Sequence, residues 1–256
     1  MATLGAIYLS PLIMAGLFLI VAMMSQREFL LTFKGRARPH LWFSFLTGFL
    51  VYTALALHGM DRVKTEFLVW LILPLGLVFV FELYRNKENP FLNIGTTLMS
   101  IVYAVVPVAF LNYIYFYGAP FTGPPYQFIL AFFVLIWIND SMAFVVGVLL
   151  GKHKLFPRIS PKKSWEGFFG GLVFTALAGY GFFMFFDSLV LWQWLGYALL
   201  ITIFATFGDL IESMLKRDFE VKDSGNILPG HGGMLDRFDG VLLASPGTFL
   251  YLNLIL

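Results

Sequence analysis

The chain has 256 residues, of which 59% are apolar and 12% charged, with a net charge of +2 and no cysteine. Soluble domains carry about 25% charged residues, so an ordinary soluble protein is excluded. The absence of cysteine excludes disulfides and thiolate zinc sites.

Apolar runs of about 17 residues or more are long enough to cross a bilayer as helices. In chain order these runs are 4–24, 41–57, 67–84, 91–117, 126–151, 165–186, 189–207 and 240–256. No basic residue precedes the first run and no A-x-A-like exit follows it, so it reads as a span and not as a cleaved signal. The runs 91–117 and 126–151 are long enough to be tilted or broken, with Pro107 inside one and the Asn139-Asp140 pair inside the other. Pro11, Pro74 and Pro246 also fall within runs, which membrane helices tolerate better than soluble ones. The fold class expected is all-α. It is a polytopic integral membrane helix bundle of about eight spans, seven to nine being compatible with the loose boundaries, with a cytosol-facing polar cavity. The expected organisation is a single integral membrane domain over residues 1–256, without a soluble appendage.

The cations orient the bundle. With loops assigned alternately to the two sides, fifteen of the seventeen Lys and Arg fall on one side, and the other side has only Arg62 and Lys64. Such a bias marks the cation-rich side as cytoplasmic and implies an even number of spans with both termini outside.

Three polar clusters stand out from this background. The first is Asp140, deep in an apolar run. An ionisable group at the centre of a span costs about 3 kcal/mol, so it marks a function or an inward-facing cavity. The alternative is a helix break with Asp140 capping the next segment. The second is "GKHKLFPRISPKKSWEG", from Gly151 to Gly167. Five cations there suit lipid headgroups, or, through Ser160, Lys162, Lys163 and Ser164, a polyphosphate. Ser164 is also placed to cap the following span. The third runs from Asp209 to Gly240 and holds seven of the fifteen carboxylates. Its bland reading is a solvated loop whose charges pair with one another. Asp209 and Glu212 are spaced to share a helix face, and Asp236 and Asp239 are spaced likewise. The "PGHGG" between them lets backbone approach a ligand closely, with Gly232 and Gly233 offering N–H groups to an anion. Carboxylates flanking such a loop suit Mg²⁺, which takes one or two of them together with phosphate oxygens. Interleaved Lys and Arg suit the polyphosphate. His231, without a second histidine nearby, does not point to zinc.

The order S-x-x-K-R, four residues, K-D, then P-x-H-G-G-x-x-D-R-x-D, from Ser213 to Asp239, resembles the signature of the phosphatidate cytidylyltransferases, or CDP-diacylglycerol synthases. Upstream, "ND", a "G…GK" pair and "SPKKSWEG" resemble the same family, with Ser141 and Phe144 where Thr and Tyr are commoner. The resemblance covers residues 139–240, taken as the catalytic part; the first four spans match only in being hydrophobic. It implies a transferase of phospholipid biosynthesis that converts CTP and phosphatidic acid into CDP-diacylglycerol and pyrophosphate. It further implies Mg²⁺, with a monovalent cation such as K⁺ beside it. By the same resemblance Asp209 and Asp236 are the metal ligands, and Asp140, Lys216, Arg217, Lys222, Asp223, His231, Arg237 and Asp239 line the catalytic site. The expected partners are CTP, phosphatidic acid and membrane lipids, and no nucleic acid. A homodimer is compatible with the sequence. The expected location is a bacterial inner membrane with the site facing the cytoplasm.

The chemistry agrees with this implication. A phosphate monoester is largely dianionic at pH 7, so it needs no general base and no Ser or Cys nucleophile. The obstacle is repulsion between two anions, which cations must screen. A CTP-dependent lipid kinase is the nearest alternative, because the polyprenol kinases resemble this family in part. A transporter is more remote, since most of the charge lies in loops and no inverted repeat is visible. Neither the PSGH of lipid phosphatases nor the DGxxAR pattern of CDP-alcohol phosphotransferases is present.

Overall fold

The computed structural model describes residues 5, 7, 8, 10–117, 124–221, 224, 225 and 232–256. Among these, eight helices are long and apolar enough to cross a membrane: α1 Pro11–Thr32, α2 Leu41–Gly59, α3 Thr65–Arg85, α4 Pro90–Phe116, α5 Gln127–Leu150, α6 Trp165–Phe185, α7 Leu191–Asp218 and α8 Leu235–Ile255. The all-α polytopic bundle expected from the sequence is therefore observed.

Three helix boundaries differ from the apolar runs, each for a local reason. Pro11, expected inside a span, opens α1, because proline is pre-organised for the first helical position. The Ser10 hydroxyl accepts the Leu12 N–H at 3.3 Å and caps the helix. The helix then continues to Thr32 and carries Glu28 with it. At the other end of the chain, α7 extends to Asp218 because its charged residues pair along one face. Lys216 bonds Glu212 one turn back at 2.5 Å, and the Ser213 hydroxyl donates to Asp209 at 3.3 Å. Last, α8 begins at Leu235, so Asp236, Arg237 and Asp239 stand on its first turns.

Of the two runs long enough to be tilted or broken, only the first departs from regular α-helix. In α4 a five-residue π-helical segment, Ile101–Val105, precedes Pro107, whose missing N–H interrupts the ordinary ladder. In contrast, α5 passes through Asn139 and Asp140 unbroken, which overturns the helix-break alternative for Asp140. The 151–164 loop also gains structure, as an antiparallel hairpin of β1 Lys154–Phe156 and β2 Ser160–Ser164, with Lys154 opposite Ser164.

The chain packs as two compact units. One comprises Met1–Tyr113 and Phe219–Phe238, the other Ile114–Asp218 and Asp239–Leu256. In the first, Phe18, Phe29, Tyr52 and Ile101 are buried, and the Tyr52 hydroxyl donates to the Ala15 carbonyl at 2.8 Å. Gln26 donates to the Ser44 carbonyl and the Ser100 hydroxyl, tying α1, α2 and α4 together by polar contacts. Such contacts serve in lipid, where apolar burial does not distinguish a neighbouring helix from a lipid tail. In the second unit, Trp194 of α7 stacks on Phe182 of α6 at 5.5 Å, and Tyr197 donates to the Phe128 carbonyl at 2.9 Å. Small residues line the α5–α6 seam. A Cβ added to Gly167 would fall 2.7 Å from the Ala143 carbonyl oxygen and 3.2 Å from the Gly147 Cα, so the two helix backbones meet there. Ser164 caps α6 by accepting the Gly167 N–H at 3.1 Å.

Candidate active site

Within the second unit, α5, β2, α7 and α8 contribute to one charged cluster. Asp140 is exposed on α5 beside buried Asn139, whose amide donates to it at 3.3 Å. On α7, Asp209 is half-buried and bonds Lys163 of β2 at 2.5 Å. Glu212, fully buried, holds Lys216. Asp239 accepts the Gly240 N–H at 2.6 Å. The Asp239 carboxylate lies within electrostatic reach of Asp209, Glu212 and Asp140, and Asp140 in turn feels Asp209 and Lys163. The cluster thus comprises four carboxylates and two ammonium groups, paired as Lys163–Asp209 and Lys216–Glu212.

The hairpin that presents Lys163 is fixed from α6. Glu166 accepts the N–H groups of Lys152 and His153 at 3.1 Å and pairs with His153 Nδ1 at 2.6 Å. Arg217, exposed at the end of α7, donates through Nε to the Ile159 carbonyl in the hairpin turn at 3.4 Å. Ser160 is half-buried at the start of β2 and Lys162 is exposed. The Ser164 hydroxyl takes the capping role.

In the first unit, Asp236 is engaged with backbone. It accepts the Gly233 N–H at 2.8 Å and the Ser224 N–H at 3.0 Å. Gly232 has φ of +77°, a conformation that favours glycine. The N–H groups of Met234 and Leu235 point at the carboxylate of Glu28, at 2.9 and 2.7 Å. Of the two glycine amides expected to cradle an anion, that of Gly233 is taken by Asp236, and the Met234 and Leu235 amides that follow it are taken by Glu28. Arg237 is exposed on α8. Nearby, Phe219 packs on Phe33 at 4.4 Å and lies under the Arg36 guanidinium at 4.3 Å. Lys222, Asp223 and His231 lie outside the described residues.

Several contributors were not apparent from the sequence. Glu28 sits outside the apolar run 4–24 and reads as an ordinary loop charge. Glu166 belongs to the "SWEG" stretch, but its use as the hairpin's anchor has no sequence signal. Glu212 was visible by its spacing to Asp209, though not as the partner of Lys216.

Among the described residues, no three His, Asp or Glu side chains converge closely enough to hold a metal alone. Hard carboxylate oxygens in excess over the ammonium groups fit a divalent ion that takes one or two carboxylates and completes its shell from phosphate and water.

Comparison with known proteins gives a consistent result. Residues 1–255 match the profile of the "Cytidylyltransferase family". The chain is similar to the phosphatidate cytidylyltransferase of Staphylococcus aureus (strain COL), 37% identical over 198 residues, which is 77% of this chain and 74% of that protein. It is also 39% identical over 171 residues to the protein of the same name from Staphylococcus haemolyticus (strain JCSC1435), covering 66% of this chain and 63% of that one.

Proposed function

The chain belongs to the cytidylyltransferase family, and we propose that it is a phosphatidate cytidylyltransferase of a multi-pass membrane protein type. It would join CTP and phosphatidic acid into CDP-diacylglycerol and pyrophosphate. The observation that carries this reading is the charged cluster of Asp140, Lys163, Asp209, Glu212, Lys216 and Asp239, assembled from three apolar spans and the polar strand β2. The relatives' shared activity supports it.

In this reading a phosphatidate oxygen attacks the α-phosphorus of CTP. The new bond joins lipid phosphate to the cytidine monophosphate unit, and the bond to the β-phosphate breaks, with its electron pair leaving on pyrophosphate. The lipid phosphate is already ionised, so no residue has to remove a proton. Lys163 and Lys216, held by Asp209 and Glu212, supply fixed positive charge. Lys162 and Arg217, both exposed, are available to phosphate oxygens. Preorganised cations of this kind stabilise the charge that develops at transfer. Asp209 is the proposed Mg²⁺ ligand in its unit, and Asp236 has the same assignment from the sequence motif. When bound, the metal would polarise the phosphoryl oxygens and neutralise the leaving group. The acyl chains would stay in the bilayer, and the cation-rich loops support a site at the cytoplasmic face.

The test is the fate of the label. Purified protein with phosphatidate should move ³²P from the α-position of CTP into lipid, and none from the γ-position. Transfer of the γ label to diacylglycerol or a polyprenol would instead identify the kinase reaction, in which CDP leaves and a general base is needed.

A further inference from the structure

Glu28 lies within the α1 span and is only 1% exposed. A buried carboxylate in a span is costly and is retained where it does something. Here it reaches across more than two hundred residues of sequence. Oε1 accepts the N–H of Met234 and Oε2 accepts the N–H of Leu235, the residue that opens α8. First-turn amides lack acceptors within their own helix, so a carboxylate with one oxygen for each amide defines the direction in which the helix starts. Asp236 follows directly.

Two glycines close on the same carboxylate. A Cβ built on Gly225 would fall 2.5 Å from Oε1, and one on Gly233 would fall 2.6 Å from Oε2. Both sides of the turn therefore wrap Glu28, while Asp236 holds it from within through Gly233 and Ser224.

We propose that Glu28 is a positioning residue for the transfer reaction. Its carboxylate fixes the backbone at Met234 and Leu235, and so sets how Asp236 and Arg237 leave the turn. It touches no substrate and acts through the residues it orients. The inference rests on the cytidylyltransferase reading, which gives that turn its chemistry.

The closing experiment uses the full chain in lipid nanodiscs and compares wild type with Glu28→Gln, Glu28→Asp and Gly225→Ala. Glutamine keeps the volume but offers one acceptor and turns an NH₂ toward an N–H. Amide hydrogen exchange at Met234 and Leu235 should quicken by about tenfold, while exchange in α2 stays as in wild type. Turnover should fall by about tenfold or more with KM for phosphatidate within about threefold, the pattern of a lost transition-state arrangement. Aspartate retains both acceptors one methylene short and should recover part of kcat. Gly225→Ala, which crowds the carboxylate from the other side, should reproduce the faster exchange. Wild-type turnover in Glu28→Gln would overturn the proposal. So would lost turnover with unchanged exchange at Met234 and Leu235, or equal loosening of α2, which marks a general loss of folding. If wild type itself transfers no label from CTP, the functional reading fails, and the exchange data still decide whether Glu28 holds the turn.

Discussion

Asp209 and Lys163 are linked at 2.5 Å with side chains 37% and 26% exposed. A pair so accessible contributes only about 0–1 kcal/mol to stability. In the proposed reading its placement matters through chemistry, since Asp209 fixes Lys163 and would offer oxygen to a metal. Asp209→Asn should therefore separate the two effects. The melting midpoint should move by no more than about 4 °C, whereas CDP-diacylglycerol formation should drop by about 10³-fold. Near-normal turnover at saturating Mg²⁺ would remove Asp209 from the metal site. Residue by residue, the sequence was informative where a charge stood out against apolar neighbours, as Asp140 does. It was silent where a charge looked ordinary, as Glu28 does near the end of a hydrophobic run. Whether a carboxylate at a span's end faces water or a folded turn is decided by tertiary contacts.

The elements that carry these residues depend on close backbone approach as much as on apolar patterning. Gly167 is the clearest case, because the nearest atoms are backbone atoms of α5, which cannot swing aside as a side chain can. Gly167→Ala should force α6 away from α5 and destabilise the protein by about 1–3 kcal/mol, the usual cost of overpacking. The measurement is the thermal midpoint in nanodiscs, with wild-type stability as the outcome that overturns it. The same displacement should shift the Ser164 cap and the hairpin ending there. Helix existence was legible from the length of the apolar runs. The hairpin was not, because "KLF" and "SPKKS" lack a strand's alternation and are tied down by Glu166 and by pairing with each other. The extension of α7 was half legible: the i, i+3 and i, i+4 spacing of its charges favours helix, yet hydropathy ends at Phe207.

At the scale of the molecule, the eight spans among the described residues alternate with loops whose cations are distributed unevenly, and this asymmetry is a prediction about orientation. Moving Lys and Arg across a membrane against its insertion bias is disfavoured, and short loops obey the bias most strictly. The loops that hold Lys163 and Ser224 belong to different compact units, so their sidedness is independent of any contact seen within either unit. The chain has no native cysteine, which allows single-cysteine probes at Ser160, Ser224, Arg62 and Thr122; the last lies outside the described residues. In sealed right-side-out vesicles, an impermeant maleimide should label Arg62→Cys and Thr122→Cys. It should reach Ser160→Cys and Ser224→Cys only after the membrane is opened. The Ser160 and Ser224 probes carry the weight of the result, because the proposed reaction requires both residues to face the compartment that holds CTP. If those two report opposite sides, a cytosolic site drawing on both stretches is ruled out. If both are labelled in intact vesicles, the orientation is inverted and the nucleotide would have to be supplied from outside.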